Sequence, residues 1–195
     1  SIVGKFGPIL YEKSSYELRN EDFLVNVVVK CLDINYKSKP RRLSKNAYRD
    51  ELEFINTNEF RNNLIYTLCE RINNNTLVLV NYIKHGQLLF DTLSKMNKQV
   101  FFIRGEVEVV ERDKIKQIME DNNDVVCIAI SAIFSTGINI KNLHNIIFAA
   151  GGKSFVRTVQ SIGRGLRKHQ NKERLVIFDI CDNLTYSAEH GQSRM

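Results

Sequence analysis

The densest concentration of reactive side chains lies between residues 153 and 174. There Lys153, Arg157, Arg164, Arg167, Lys168, Lys172 and Arg174 stand against one acid, Glu173. Within this stretch runs Gln160-Ser161-Ile162-Gly163-Arg164-Gly165-Leu166-Arg167-Lys168. On a helix, Arg164 and Arg167 project from one side about a turn apart, and Gln160 lies four residues before Arg164 on the same face. Gly163 and Gly165 each cost about 1 kcal/mol relative to alanine in a helix interior. A helix that keeps both points to close approach of something to its backbone. Cations and close backbone approach are what a phosphate group requires. The same residues also fit a solvated basic face with glycines at its fraying end. Residue chemistry alone weighs the two readings evenly.

Further polar groups follow each apolar run. Asn81-Tyr82-Ile83-Lys84-His85-Gly86 comes after 76–81, and Arg104-Gly105-Glu106 after 99–103. Ser131 and Ser135-Thr136-Gly137-Ile138-Asn139 come after 125–130, and Gly151-Gly152-Lys153-Ser154 after 145–150. In an open α/β sheet ligands bind beyond the carboxyl ends of the strands, so these loops are expected to share one edge. Their glycines, hydroxyls, amides and cations suit phosphates. Each has a plainer use. Ser131 fits a cap on the turn after its strand as well as a phosphate contact. Tyr82 fits half-buried packing as well as a ligand contact. Lys84 also fits a solvated surface charge, and the basic loop at Pro40-Arg41-Arg42 a solvated connection. His85 is expected only to open the following helix.

The elements that must position these groups alternate in type. Runs 25–34, 76–81, 99–103, 125–130, 145–150 and 174–180 read as buried strands. Residues 85–96 read as a helix with Leu88, Leu89, Leu93 and Met96 on one face. A second helix is expected over 108–121 with Ile115, Ile118 and Met119 inward, and a third over 154–169 opened by Ser154. Residues 47–74 read as two helices broken near 55–60, with Leu64, Ile65, Leu68 and Ile72 facing the core. Alternating strands and helices predict an α/β fold: a parallel sheet, buried on both faces by right-handed crossovers.

Composition narrows the function classes. The 195 residues are 43% hydrophobic and 26% charged, ordinary for one globular domain. No stretch reaches the ~20 apolar residues of a membrane span, and no signal peptide is visible. Cys31, Cys69, Cys127 and Cys181 are widely separated among apolar neighbours and read as reduced core thiols, with no metal site expected. The net charge of +6 alone says little about partners. Residues 104–124 are acidic, so the positive charge is concentrated around 153–174. The stretch Gly151-Gly152-Lys153-Ser154 echoes the end of a P-loop. The first glycine of that loop would fall at position 147, which is Ile147. A complete Walker A site is therefore rejected.

The order of these motifs resembles superfamily two helicases. Gln160–Lys168 looks like motif VI, residues 130–147 like motif V, and residues 76–89 like motif IV. Residues 6–18 resemble the segment just past a first motor domain. With IRGEV, FSTGI and IGRGLRKH, nearly the whole chain is similar to the UvsW-type recombination DNA helicases of T-even phages. The resemblance implies a RecA-like second motor domain over 47–185. A connecting segment with an edge strand (1–46) would precede it, and a tail (186–195) would follow.

Arg164 and Arg167 would be arginine fingers with Gln160 beside them. Gly137 and Asn139 would lie near the nucleotide; many relatives carry Asp where Asn139 stands. Tyr82, Lys84, Arg104, Gly105, Ser131 and Ser135 would touch a nucleic-acid backbone. ATP and Mg2+ would be held mainly by an N-terminal RecA-like domain of the same polypeptide, because no Walker A or B box occurs here. The chain alone is accordingly expected not to hydrolyse ATP. The expected partner is single-stranded or branched DNA, or an RNA–DNA hybrid, in the cytoplasm of a phage host. An RNA helicase, a restriction-type translocase and a non-catalytic nucleic-acid-binding module are the competing readings.

Overall fold

A computed structural model describes residues 25–192 of the chain except 39, 42–43, 106, 135–139 and 151–171. Six strands form one sheet: β1 (Asn26–Ile34), β2 (Thr76–Val80), β3 (Val100–Ile103), β4 (Val126–Ile130), β5 (Asn145–Phe148) and β6 (Arg174–Asp182). Their order is β1-β6-β5-β2-β4-β3, and every pairing is parallel. The described helices are α1 (Ala47–Thr57), α2 (Glu59–Arg71), α3 (Ile83–Leu93), α4 (Val109–Asp121), the single turn α5 (Ser131–Phe134) and α6 (Thr185–Gln192). All six expected strands are present, as are the two helices of 47–74. The helix expected over 154–169 lies outside the described residues. Among the described residues no helix is long and apolar enough to cross a membrane.

The central strands β2, β4 and β5 are continuous apolar runs because both of their faces are covered. The chain moves outward from β2 to β3 through α3 and back to β4 through α4. Right-handed crossovers in opposite directions put the two helices on opposite faces. Leu77 and Leu79 accordingly join Ile115 and Met119 in one core, while Val78 and Val80 join Ile65, Leu89 and Leu93 in the other. Leu88 departs from its expected place. It is 40% exposed, because α3 turns Leu89, Leu93 and His85 inward instead.

Polar side chains fix the element ends. Asn58 and Asn46 cap α2 and α1 by accepting from Arg61 N and Arg49 N. The Glu51 carboxylate accepts from Tyr186 N at 3.1 Å and Ser187 N at 2.7 Å, so α1 supplies the anion at the N-terminus of α6. Lys98 Nζ donates to Cys69 O and Ile72 O, closing the last turn of α2.

Gly86 sets the approach of α3 to the sheet. A Cβ there would lie 2.6 Å from Phe102 Cε2 and 3.2 Å from Val80 Cγ2, and nearer still to Phe102 Cζ. Gly86→Ala should therefore destabilise the fold. Overpacking costs about 1–3 kcal/mol, and helix propensity offsets about 1 kcal/mol of that. Urea unfolding should show the loss, and Phe102→Leu in the same chain should recover much of it.

Candidate functional site

All six strands point the same way, so their carboxyl ends form one rim. At β2 the chain leaves toward β3. At the neighbouring β5 it leaves toward β6, on the other side. Adjacent strands whose connections diverge open a crevice, and ligands of such sheets bind there. The residues at this switch point are Asn81 and Tyr82 after β2, and Ala149 and Ala150 after β5. Asn81 Nδ2 donates to Ala150 O at 3.0 Å, tying the two strand ends together. Ser131, at the end of β4, donates its hydroxyl to Val80 O at 3.1 Å and is buried. Its donor is thus spent on the turn, and only its lone pairs remain for a ligand.

A groove of about 610 Å3 opens from this rim between α1 and the start of α3, lined among others by Arg49, Asn56, Asn81, Tyr82, Lys84 and His85. Tyr82 is 45% exposed and Lys84 is exposed. Tyr82 takes the N-cap position of α3 but makes no side-chain cap hydrogen bond. Tyr82 thus gives the first-turn amides of α3 no side-chain acceptor, and the positive end of the helix dipole lies at the groove. An aromatic face, an ammonium group, a guanidinium and a helix N-terminus together suit a phosphate backbone with its bases.

His85 forms part of the groove wall and does not open the helix, which starts at Ile83. It is 2% exposed, and its Nε2 lies 3.2 Å from Asn62 Oδ1. Nδ1 is buried without a hydrogen-bond partner. Burial, helped by the nearby Arg61 charge, pushes its pKa down from 6.5 to about 3. The ring is neutral at neutral pH. Below pH 6.5 the unfolded chain takes up a proton at this residue that the folded chain refuses until about pH 3. Its contribution to stability is therefore full above pH 6.5 and falls as pH drops, by at most ~1.4 kcal/mol per pH unit. His85→Gln should flatten this slope between pH 6.5 and 4 in urea titrations. An unchanged slope would place the proton uptake elsewhere.

The other expected positions are dispersed. Arg104 and Gly105 follow β3, beyond the intervening β4, so they lie roughly 10 Å along the rim from β2. Arg104 lines a separate cavity of about 350 Å3 with Phe90, Phe102, Val107 and Glu111. Gly105 O accepts from Arg112 Nη2 at 2.9 Å. Gln160, Arg164, Arg167, Gly137, Asn139 and Ser135 lie outside the described residues.

Behind the rim sits a cluster that carries no motif signal. Arg61, fully buried on α2, donates from Nε to Asp182 Oδ1 at 2.8 Å and from Nη2 to Asp182 Oδ2 at 3.1 Å. Nη2 also donates to Ala149 O at 3.1 Å. The Tyr36 hydroxyl donates to Asp182 Oδ1 at 2.5 Å, and burial beside that carboxylate raises the phenol's pKa far above 10. The cluster pins the carboxyl ends of β5 and β6 to α2. Arg61 is committed to Asp182, so it is not a free cation for an incoming phosphate.

Comparison with known proteins follows the same lines. The family described as helicase conserved C-terminal domain matches residues 59–169. The ATP-dependent DNA helicase uvsW of Enterobacteria phage T4 is 29% identical over 93% of this chain and 37% of its own length. Putative helicase 22 of Sulfolobus islandicus filamentous virus is 23% identical, over 93% of this chain and 35% of its own. The crystal structure of T4 UvsW superposes with a TM-score of 0.69 at 28% identity, covering 87% of this chain and 38% of that one. The C-terminal part of the Fun30 ATPase domain shares the fold alone, with a TM-score of 0.54 at 17% identity over 62% of this chain and 39% of that one. The chain thus spans somewhat more than a third of the length of these viral helicases. Its parallel order and flanking helices are the RecA-like arrangement of a helicase C-terminal domain, and the chain belongs to the helicase conserved C-terminal domain family.

Proposed function

We propose that the chain is the second motor domain of an ATP-dependent DNA helicase or translocase acting on branched DNA or R-loops. The observation that carries this reading is the groove at the β2–β5 switch point, where Tyr82, Lys84, Arg49 and the start of α3 converge. The groove would hold one strand by its backbone, with Ser135, Arg104 and Gly105 extending the track along the rim, while Ser131 holds the turn through Val80 O. Contacts of this kind position a strand without reading its sequence.

Arg61 is tied to Asp182 by two hydrogen bonds, so it is not a free donor for the phosphates of ATP. That role would fall to Gly137, Asn139, Gln160, Arg164 and Arg167, facing an N-terminal RecA-like domain that holds the nucleotide with its Mg2+. The relatives' greater length agrees with such a partner domain. Closure of the two domains on the nucleotide, and their release after hydrolysis, would advance the strand.

Single-stranded DNA binding followed by fluorescence anisotropy tests the groove. A phosphate contact by Lys84 predicts that Lys84→Ala weakens binding similarly for all sequences and lowers the salt-dependence slope by about 1. Tyr82→Ala should weaken binding with less change in that slope. Unchanged affinity and slope in both variants would remove the groove from the nucleic-acid path. Unwinding of DNA, RNA and hybrid duplexes by the complete polypeptide separates a DNA motor from an RNA one.

A further inference from the structure

We propose that Cys31, Asp179 and Cys181 form a binding site for a thiophilic divalent cation, zinc above all, across the outer seam of the sheet. Strand pairing creates the site. Cys31 on β1 stands in register with Asp179 on β6, and Cys181 lies two residues further along β6. Side chains alternate along a strand, so the three share one face. Their two sulfurs and a carboxylate oxygen all lie within 4.8 Å of one another. Cys181 Sγ already sits 3.7 Å from Asp179 Oδ2. In a tetrahedral site with Zn–S near 2.3 Å and Zn–O near 2.1 Å, donor atoms stand roughly 3.5 Å apart. Small side-chain rotations bring these three to that spacing.

The chemistry of the donors selects the ion. Two thiolates and one carboxylate favour zinc over magnesium or calcium, which prefer oxygen alone. Asp179 and Cys181 are buried whereas Cys31 is exposed, which gives the ion an entry path and leaves water as the fourth ligand. Asp33, exposed and in register with Cys181 on the same face, adds negative charge beside the site. The remaining cysteines contrast with this pair. Cys69 and Cys127 are fully buried, and burial pushes each thiol up to about 12, so they stay protonated and inert.

The consequence is structural. Among the described strands β1 is an edge strand that pairs with β6, and its Val27, Val28 and Val29 are exposed. An ion shared by the two strands would clip the edge in place. The inference does not depend on the nucleic-acid reading.

Cobalt(II) reports on such a site directly. Added to the reduced, metal-stripped protein, one equivalent should give thiolate-to-cobalt charge-transfer absorption and intense visible bands, both displaced by zinc. Zinc should also raise the melting temperature, since it binds the folded state alone. Cys31→Ser, at an exposed position, should leave the fold intact, abolish the charge-transfer band of that thiolate and weaken zinc at least about tenfold. Asp179→Asn should weaken it comparably. Absence of the charge-transfer absorption overturns the proposal. So does an unchanged spectrum in Cys31→Ser, or peroxide closing Cys31 and Cys181 into a disulfide at an equal rate with and without zinc.

Discussion

Arg61→Ala should cost about 3–5 kcal/mol of folding stability, the range for removing one partner from a buried ion pair. The Arg61 and Asp182 side chains are 0% and 1% exposed, and two hydrogen bonds join them. Without the guanidinium, Asp182 keeps, among the described residues, the Tyr36 hydroxyl as its side-chain donor, and Ala149 O loses the Arg61 donor. A buried carboxylate left in that state is a charge without compensation, and this is the source of the loss. Asp182→Asn added to Arg61→Ala should recover part of it, because the unpaired charge is gone. Replacing the pair by Met and Leu should cost less than either single removal, since well-packed apolar groups avoid the desolvation of two ions. Thermal and urea unfolding of the parent, Arg61→Ala, Asp182→Asn and the double variant forms the cycle. A loss below about 1 kcal/mol for Arg61→Ala would mean that the ion pair is not held as described. The damage should reach the rim as well, since Arg61 fixes Ala149, next to the switch point.

The sheet was legible because its strands are buried on both faces. Runs such as Leu77-Val78-Leu79-Val80 and Cys127-Ile128-Ala129-Ile130 carry no alternation, only length and flanking turns, and that suffices for a parallel strand. Strand order was not legible. It depends on which runs pair, and nothing local says that β2 lies between β5 and β4. The strand-end rule located Tyr82, Lys84, Arg104 and Ser131 on the rim, since parallel direction alone puts them there. It did not tell how Ser131 spends its hydroxyl, because that depends on Val80 O, 51 residues away.

Long-range polar pairs were invisible for the same reason. Arg61 meets Asp182 across 121 positions, and Glu51 caps the Thr185 helix across 135. Inside a helical run Arg61 reads as one more surface cation. Cys31 likewise read as a core thiol from its valine neighbours, yet it is exposed, because an edge strand has an uncovered side. His85 read as a helix opener and is instead a buried, neutral ring. A hydrophobic period identifies the inward face of a helix but not which polar residue that face admits.

On the proposed reading, Arg164→Ala and Arg167→Ala in the complete polypeptide should each lower ATP turnover by about 10³-fold or more, the range for loss of an arginine finger. The expectation follows from motif order in a family whose match runs through residue 169. A guanidinium placed where negative charge develops in phosphoryl transfer stabilises the transition state more than the bound nucleotide, so turnover should fall much further than nucleotide affinity. Lysine tests the geometry. Arg164→Lys keeps the charge but loses the planar fork, so it should remain well below the parent if two-pronged contact matters. Nucleic-acid binding should change little in either alanine variant, because the groove at Tyr82 and Lys84 is a separate surface in this reading. Lys84→Ala should show the opposite pattern: weakened strand binding, with turnover restored at saturating DNA. Normal turnover in both arginine variants, or parallel losses of turnover and DNA affinity in all three, would mean that phosphate chemistry and strand binding are not divided between these two surfaces.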